Sequence, residues 1–374
     1  IIYYFLKYHI FLFIYFLGGV FLNKESIKFA GTYVSICIGS GFATGQEIMQ
    51  FFSAYGMISI LSNLICMFLM CYCGSVLLKL GKKENKDDID VFNYFCGSHL
   101  GNILKVVMPI FFFFSFVVMI SGAGATINQY YGLNKMTGSI IIAFVTLISI
   151  LMGINKLIDI LGNIGPIIAI ISIVIGIFSI INNFENLHMV DEVIKGFDIK
   201  KASESWYLTP FMYTGLNMVL ATPFLFNVGK TAKNKKSCST GGILGGFIFM
   251  ISAMILNIAI ISDIENLYIK EIPTLYMAKN ISDLVGGIFS IMLILGIYTT
   301  AVPLLWSVCS AFFKENTKRF NLLAIIFTIL GLVMSRFPFS MLVNFIYPIS
   351  GVFGVVILIS ILIKGINLKI KKVQ

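Results

Sequence analysis

Charge is what this chain lacks most. Lys, Arg, Asp and Glu make up 12% of its 374 residues, against about 25% in a soluble domain, so a water-facing surface cannot be built from it. Histidine is nearly absent, and His9, His99 and His188 stand far apart. The seven cysteines (Cys37, Cys66, Cys71, Cys73, Cys96, Cys238 and Cys309) show no zinc spacing, and Cys71-x-Cys73 is too close for an ordinary metal or redox motif. They read as small apolar fillers. Acidic residues are missing from the depth of the apolar stretches except for Glu47. That leaves no carboxylate dyad, and no Ser–His pair is evident either, so the sequence points away from an enzyme and calls for no cofactor. The alternation of barrel strands is missing too.

Apolar residues fill the space. They make up 58% of the chain, with a mean hydropathy of +0.94. Stretches of roughly 20 apolar residues, enough to cross a bilayer, recur along the whole length. Inside lipid the backbone must satisfy its own hydrogen bonds, which dictates helices and an all-α integral membrane protein. Ten spans are predicted, at about 29–51, 56–79, 105–131, 138–154, 161–181, 205–229, 240–262, 283–313, 320–335 and 340–364. Residues 27–181 then form a first five-helix repeat, 182–204 an outer link, 205–364 a second repeat and 365–374 a basic tail. A 5+5 inverted repeat is expected to interrupt its first and sixth spans. Segment 84–99 suits a short interfacial helix, and 263–281 is predicted to lie along the outer surface.

The net charge of +10 comes from short basic clusters between spans, which encode topology rather than nucleic-acid binding. With the N-terminus inside, Lys79, Lys82, Lys83, Lys230, Lys233, Lys235, Lys236, Lys318 and Arg319 all fall on the inner side, and few cations fall outside. Both termini are then cytoplasmic. No methionine precedes Met49, and residues 1–26 are read as a doubtful leader and cytoplasmic N-terminus. Gly18-Gly19 can be encoded by a ribosome-binding GGAGG and Leu22 by TTG, so translation is expected to begin at Leu22, with residues 1–21 as upstream DNA.

Two spans carry the candidate chemistry. The first places Gly39-Ser40-Gly41 near its midpoint and Gly45 one turn on. Each glycine weakens a helix by roughly 0.8–1 kcal/mol relative to Ala. Unwound backbone there would aim free amides at an anionic group such as a carboxylate. The alternative is close packing, since Gly41-x-x-x-Gly45 also mediates helix contacts. The sixth span centres on Tyr213, Thr214, Gly215 and Asn217, bounded by Pro210 and Pro223, and is predicted to unwind as well. Ser115, Gly122, Thr126 and Gln129 form one stripe of the third span. In the eighth, Thr299-Thr300 with carbonyls freed from span one would make an all-oxygen site for an alkali cation, unless each Thr bonds back to its own helix. Glu47 reads as an outer gate or an amine partner, against a carboxylate that snorkels or bonds between helices.

The run Lys28-Phe-Ala-Gly-Thr-Tyr33 followed by Gly39-Ser-Gly-Phe-Ala-Thr-Gly-Gln-Glu-Ile-Met-Gln-Phe-Phe52 resembles the opening of the YkvI-like bacterial membrane proteins. That group is similar to the amino acid–polyamine–organocation superfamily, which has a leucine-transporter-like fold. The resemblance implies a secondary transporter in the bacterial cytoplasmic membrane, with a small-molecule substrate held by Gly39, Ser40 and Gly41 opposite Tyr213, Thr214, Gly215 and Asn217. It also implies sodium at Ile36, Gly39, Thr299 and Thr300. Proton-coupled relatives place a lysine in span five, and the stretch Gly165-Pro-Ile-Ile-Ala169 has none, which favours sodium as the coupling ion. No Lys or Arg lies near the presumed pocket, so a small neutral, apolar amino acid is the expected substrate. A transporter-like sensor or scaffold without flux is the rival reading.

Overall fold

The computed structural model describes residues 23–84, 89–152, 158–315 and 317–370. The expected start at Leu22 and the leader before it lie outside these residues. The described chain is all helical. Its principal helices are α1 (Lys24–Cys37), α2 (Ser40–Thr44), α3 (Gln46–Phe51), α4 (Ser59–Lys83), α5 (Val91–Tyr131), α6 (Lys135–Leu151) and α7 (Ile158–Asn182). After a link of short turns come α8 (Thr209–Lys230), α9 (Lys235–Ser262), α10 (Pro273–Ile281), α11 (Asp283–Ser310), α12 (Lys318–Met334) and α13 (Phe339–Ile370). Among the described residues, seven helices are long and apolar enough to cross a membrane. The chain is a multi-pass membrane protein. Of the other expected spans, the fourth and ninth are the 17-residue helices α6 and α12, and the first is divided into α1, α2 and α3.

Polar caps set the helix starts. Asn23, Asp90, Asn134, Asn234, Ser282 and Thr317 each accept a backbone amide of the first turn, which satisfies one of the four donors a helix start leaves open. Large apolar side chains such as Phe68, Val106, Phe144 and Ile181 face outward, as a lipid-facing belt requires. Inside, small residues let backbones meet. A Cβ on Gly246 would lie 2.7 Å from the Cys71 amide, so α9 sits directly on α4. Tyr33 of α1 wedges beside them and donates its hydroxyl to Met70 O at 3.0 Å. Within segment 84–99 a short helix forms: Gly97 (φ 78°) separates Val91–Cys96 from the rest of α5.

One expectation fails. The sixth span is not discontinuous: α8 runs unbroken from Thr209 to Lys230. Pro210 stands in its first turn, where no amide donor is needed. Gly215 serves close approach, since a Cβ there would sit 2.7 Å from Gly351 O, Gly354 C and Val355 N of α13. Segment 263–281, expected along the outer surface, exposes Glu265, Asn266, Ile269 and Lys279 and packs its other face inward. Ile264, Leu267, Leu275, Met277 and Ala278 are buried, and Thr274 donates to Ala43 O of α2 at 2.6 Å. The carbonyl it satisfies became available because the first span breaks beside it.

Candidate functional site at the break in the first span

The break has two joints. At the first, Ile38 (φ −82°, ψ 94°) and Gly39 (φ −101°, ψ −174°) are extended between α1 and α2. At the second, Gly45 turns left-handed (φ 80°) between α2 and α3. Helix ends leave carbonyls and amides without intrahelical partners, so the end of α1, which includes Ile36, and the start of α2 at Ser40 and Gly41 present polar backbone inside the bundle. Some groups are recovered locally: Gly39 N reaches Cys37 O at 3.1 Å, Ala43 N reaches Gly39 O at 3.0 Å, and the Thr44 hydroxyl donates to Gly41 O at 3.0 Å.

Glu47 lies in the first turn after the Gly45 joint. It is 5% exposed, and its Oε1 accepts the Tyr213 hydroxyl at 2.7 Å. Its Oε2 and the Tyr347 ring flank Gly41, where an added Cβ would collide with both. Tyr213 is wholly buried among Phe51, Phe52 and Phe249, which fixes its hydroxyl on the carboxylate. A carboxylate so buried does not snorkel; it bonds between helices, as one of the expected alternatives had it, and it brings Gly41, Glu47 and Tyr213 together.

The remaining predicted residues are placed as follows. The Thr214 hydroxyl donates to Pro210 O at 2.7 Å and Asn217 Nδ2 to Tyr213 O at 2.9 Å, both within α8. Gly215 faces α13. Thr299 and Thr300 donate to Gly296 O at 2.9 and 3.0 Å. Thr300 nevertheless borders the break, with its Cγ2 4.0 Å from the Cβ position of Gly39. In the third-span stripe, Thr126 bonds to Gly122 O, and Gln129 clamps Ile272 through both its amide atoms at 2.8 and 3.1 Å, so these residues position α10. Sequence reasoning missed Asn344 and Tyr347 of α13. The rule that singled out Asn217, an amide inside an apolar span, applies equally to Asn344 and to Gln50, whose Nε2 donates to Asn344 O at 2.9 Å.

No family model matches the chain. It is 25% identical to the uncharacterized protein YyaD of Bacillus subtilis (strain 168) over 351 residues, covering 94% of this chain and all of the relative. It is 24% identical to the uncharacterized membrane protein YkvI of the same organism, covering 87% and 91%. Among solved structures, inward-facing Mhp1 matches with a TM-score of 0.60 at 12% identity, over 90% of this chain and 77% of that one. MhsT in complex with L-phenylalanine matches at 0.55 and 14%, over 88% and 87%. A manganese transporter mutant of Eremococcus coleocola matches at 0.54 and 11%, over 90% and 79%. The chain has a leucine-transporter-like fold. Its structural neighbours are membrane transporters, not enzymes, and its similarity to YkvI extends well beyond the first span, where the resemblance was most specific.

Proposed function

We propose that this protein is a secondary transporter that takes up a small neutral amino acid by alternating access, coupled to sodium. The observation that carries the reading is the break in the first span with the Glu47 carboxylate and Tyr213 hydroxyl set beside Gly41. Irregular backbone at membrane depth is tolerated where it lines a cavity or meets a ligand. An amino acid carries a carboxylate and an ammonium a few ångströms apart. The first-turn amides of Ser40 and Gly41, with that of Gly39 once it leaves Cys37 O, suit the first group and Glu47 the second. Thr300 beside Gly39 supports a sodium ion held by Ile36 and Gly39 carbonyls with the Thr299 and Thr300 hydroxyls, which would turn from Gly296 O when the ion binds.

In this reading the ten helical segments form two five-helix repeats of opposite topology in the bacterial cytoplasmic membrane, with both termini inside. The basic clusters support that orientation. The continuity of α8 confines the interrupted backbone to the first repeat, so substrate contacts from the sixth span come from side chains, Tyr213 first among them. The test is uptake of a panel of neutral amino acids into proteoliposomes, with and without an inward sodium gradient. Sodium-stimulated accumulation is the expected result. Binding without uptake across the panel would favour a sensor instead.

A further inference from the structure

A polar layer lies between α3 and α13, and the transport reading uses one of its members. Glu47 Oε2 and Tyr347 Oη flank the same point beside Gly41, the latter 3.1 Å from the Cβ position there. One turn along, Gln50 Nε2 donates to Asn344 O at 2.9 Å. Residues three apart share a helix face, so 47 faces 347 while 50 faces 344, the register of two antiparallel helices. The layer is largely buried: Glu47 is 5% and Gln50 1% exposed, and Asn344 is half-buried.

Three of its side-chain oxygens are left over. Gln50 Oε1 and Asn344 Oδ1 are both buried without a hydrogen-bond partner, as is Gln46 Oε1 one turn before Gln50. The orientation of the Gln50 amide is fixed by chemistry, because flipping it would set Oε1 against the Asn344 carbonyl. Neither Gln46–Phe51 nor 344–347 contains a Lys or Arg. The layer therefore offers one carboxylate and neutral oxygens to something positive that brings donors or a bare charge. A divalent ion would leave excess charge on a single carboxylate, and such ions collect more anionic oxygens.

We propose that Glu47, Gln50 and Asn344 form a binding site for a monocation, either an inorganic ion or the ammonium group of the transported amino acid. The inference deepens the transport reading by assigning residues to that positive charge, and it rests on that reading only for the ammonium source. The test uses the purified full-length protein in detergent. Thermal unfolding is followed against sodium, potassium and choline chloride at constant ionic strength without amino acid, and then against neutral amino acids and their matching 2-hydroxy acids. A response to sodium or potassium but not choline identifies an ion. A response to amino acids but not hydroxy acids identifies the ammonium.

In either case Gln50→Leu and Asn344→Leu are expected to weaken the half-saturating concentration about tenfold, the equivalent of one lost hydrogen bond to a charge. Asn344→Asp is expected to tighten it, which a merely structural amide would not do. If the leucine variants fail to fold, Asn344→Asp alone decides. An unchanged or weaker midpoint in Asn344→Asp overturns the site, as does the lack of any response to the cations and amines, or a response abolished by Thr300→Ala yet indifferent to all three variants. Uptake is measured separately. A cation response without uptake sinks transport and leaves the site, whereas uptake indifferent to the three variants sinks the site alone.

Discussion

Replacing Gly41 with alanine separates a site from a packing contact. The added Cβ would collide with the Glu47 carboxylate and the Tyr347 ring. Both obstacles are the ends of flexible side chains, so they can swing away while the helices stay in place. Overpacking of this kind costs about 1–3 kcal/mol, and if it falls on the bound state it weakens affinity roughly 5- to 150-fold. Gly215→Ala is the comparison. Its Cβ would lie 2.7 Å from three backbone atoms of α13, which cannot yield without moving a helix, so the penalty falls on the fold. Gly31→Ala is the control: nothing lies within 4 Å, and exchanging Gly for Ala in a helix gains about 1 kcal/mol. The assay is paired: Kd for the best amino acid of the uptake panel, and Tm without ligand. Gly41→Ala should lose affinity and keep its Tm, Gly215→Ala should lose Tm, and Gly31→Ala should gain a little Tm. Wild-type affinity in Gly41→Ala with a Tm as low as that of Gly215→Ala would refute the argument.

Other perturbations test the parts around the break. Tyr213→Phe removes the hydroxyl that bonds Glu47 at 2.7 Å. A hydrogen bond to a charged group contributes about 1.5–3 kcal/mol, so Kd for an amine-bearing substrate should rise by roughly one to two orders of magnitude, and an unchanged Kd would show that Glu47 is held elsewhere. Thr300→Ala should shift the sodium dependence of uptake more than substrate recognition. Its hydroxyl bonds only within α11, so Tm should hardly change, and an unaltered sodium half-saturation removes Thr300 from the cation site. Glu25, outside the first span, accepts the Lys233 amide at 2.7 Å. Burial raises its pKa, but the amide bond, the Ser237 hydrogen bond and the charges of Lys233 and Lys82 together bring it below the ordinary 4.5. The contact therefore stabilises the fold fully above that ordinary value and is lost as pH falls through the lowered one. The Tm difference between wild type and Glu25→Gln should be present at pH 7 and shrink on acidification, and a gap independent of pH would contradict it.

The helical membrane fold was legible because it rests on summed quantities: runs of apolar residues and scarce charge. The broken first span was legible for the same reason, with three glycines acting on one short stretch. The sixth span was misread because its signals, Pro210 and Gly215, have two uses each. A proline in the first turn leaves the helix whole, and a glycine opposite Gly354 lets two backbones touch. Which use applies depends on the facing helix, which local sequence does not contain. Asn344 carried the same signal as Asn217, an amide inside an apolar span, whereas Tyr347 carried none; the meaning of both comes from Gln50 and Gly41, roughly 300 residues earlier, brought opposite them by tertiary packing.

The three glycines of the first span turn out to have three different jobs. Gly39 is extended at φ −101°, a conformation open to any residue, and its Cβ position has ordinary contact distance to Thr300. Gly41 is needed for room, because Glu47 and Tyr347 occupy the space a side chain would take. Only Gly45, at φ 80°, needs glycine for its backbone, and Thr274 and Pro273 close in on it besides. Packing alone would require none of this. The same protein shows in α8 that a glycine-bearing span can stay helical while it nestles against its neighbour. The first span instead breaks at two joints and leaves helix-end amides and carbonyls without intrahelical partners inside the bundle. Beside those joints stand the buried Glu47 carboxylate and, one turn along, Gln50 and Asn344 with side-chain oxygens that have no hydrogen-bond partner, and a ligand for these groups is the function proposed for the break.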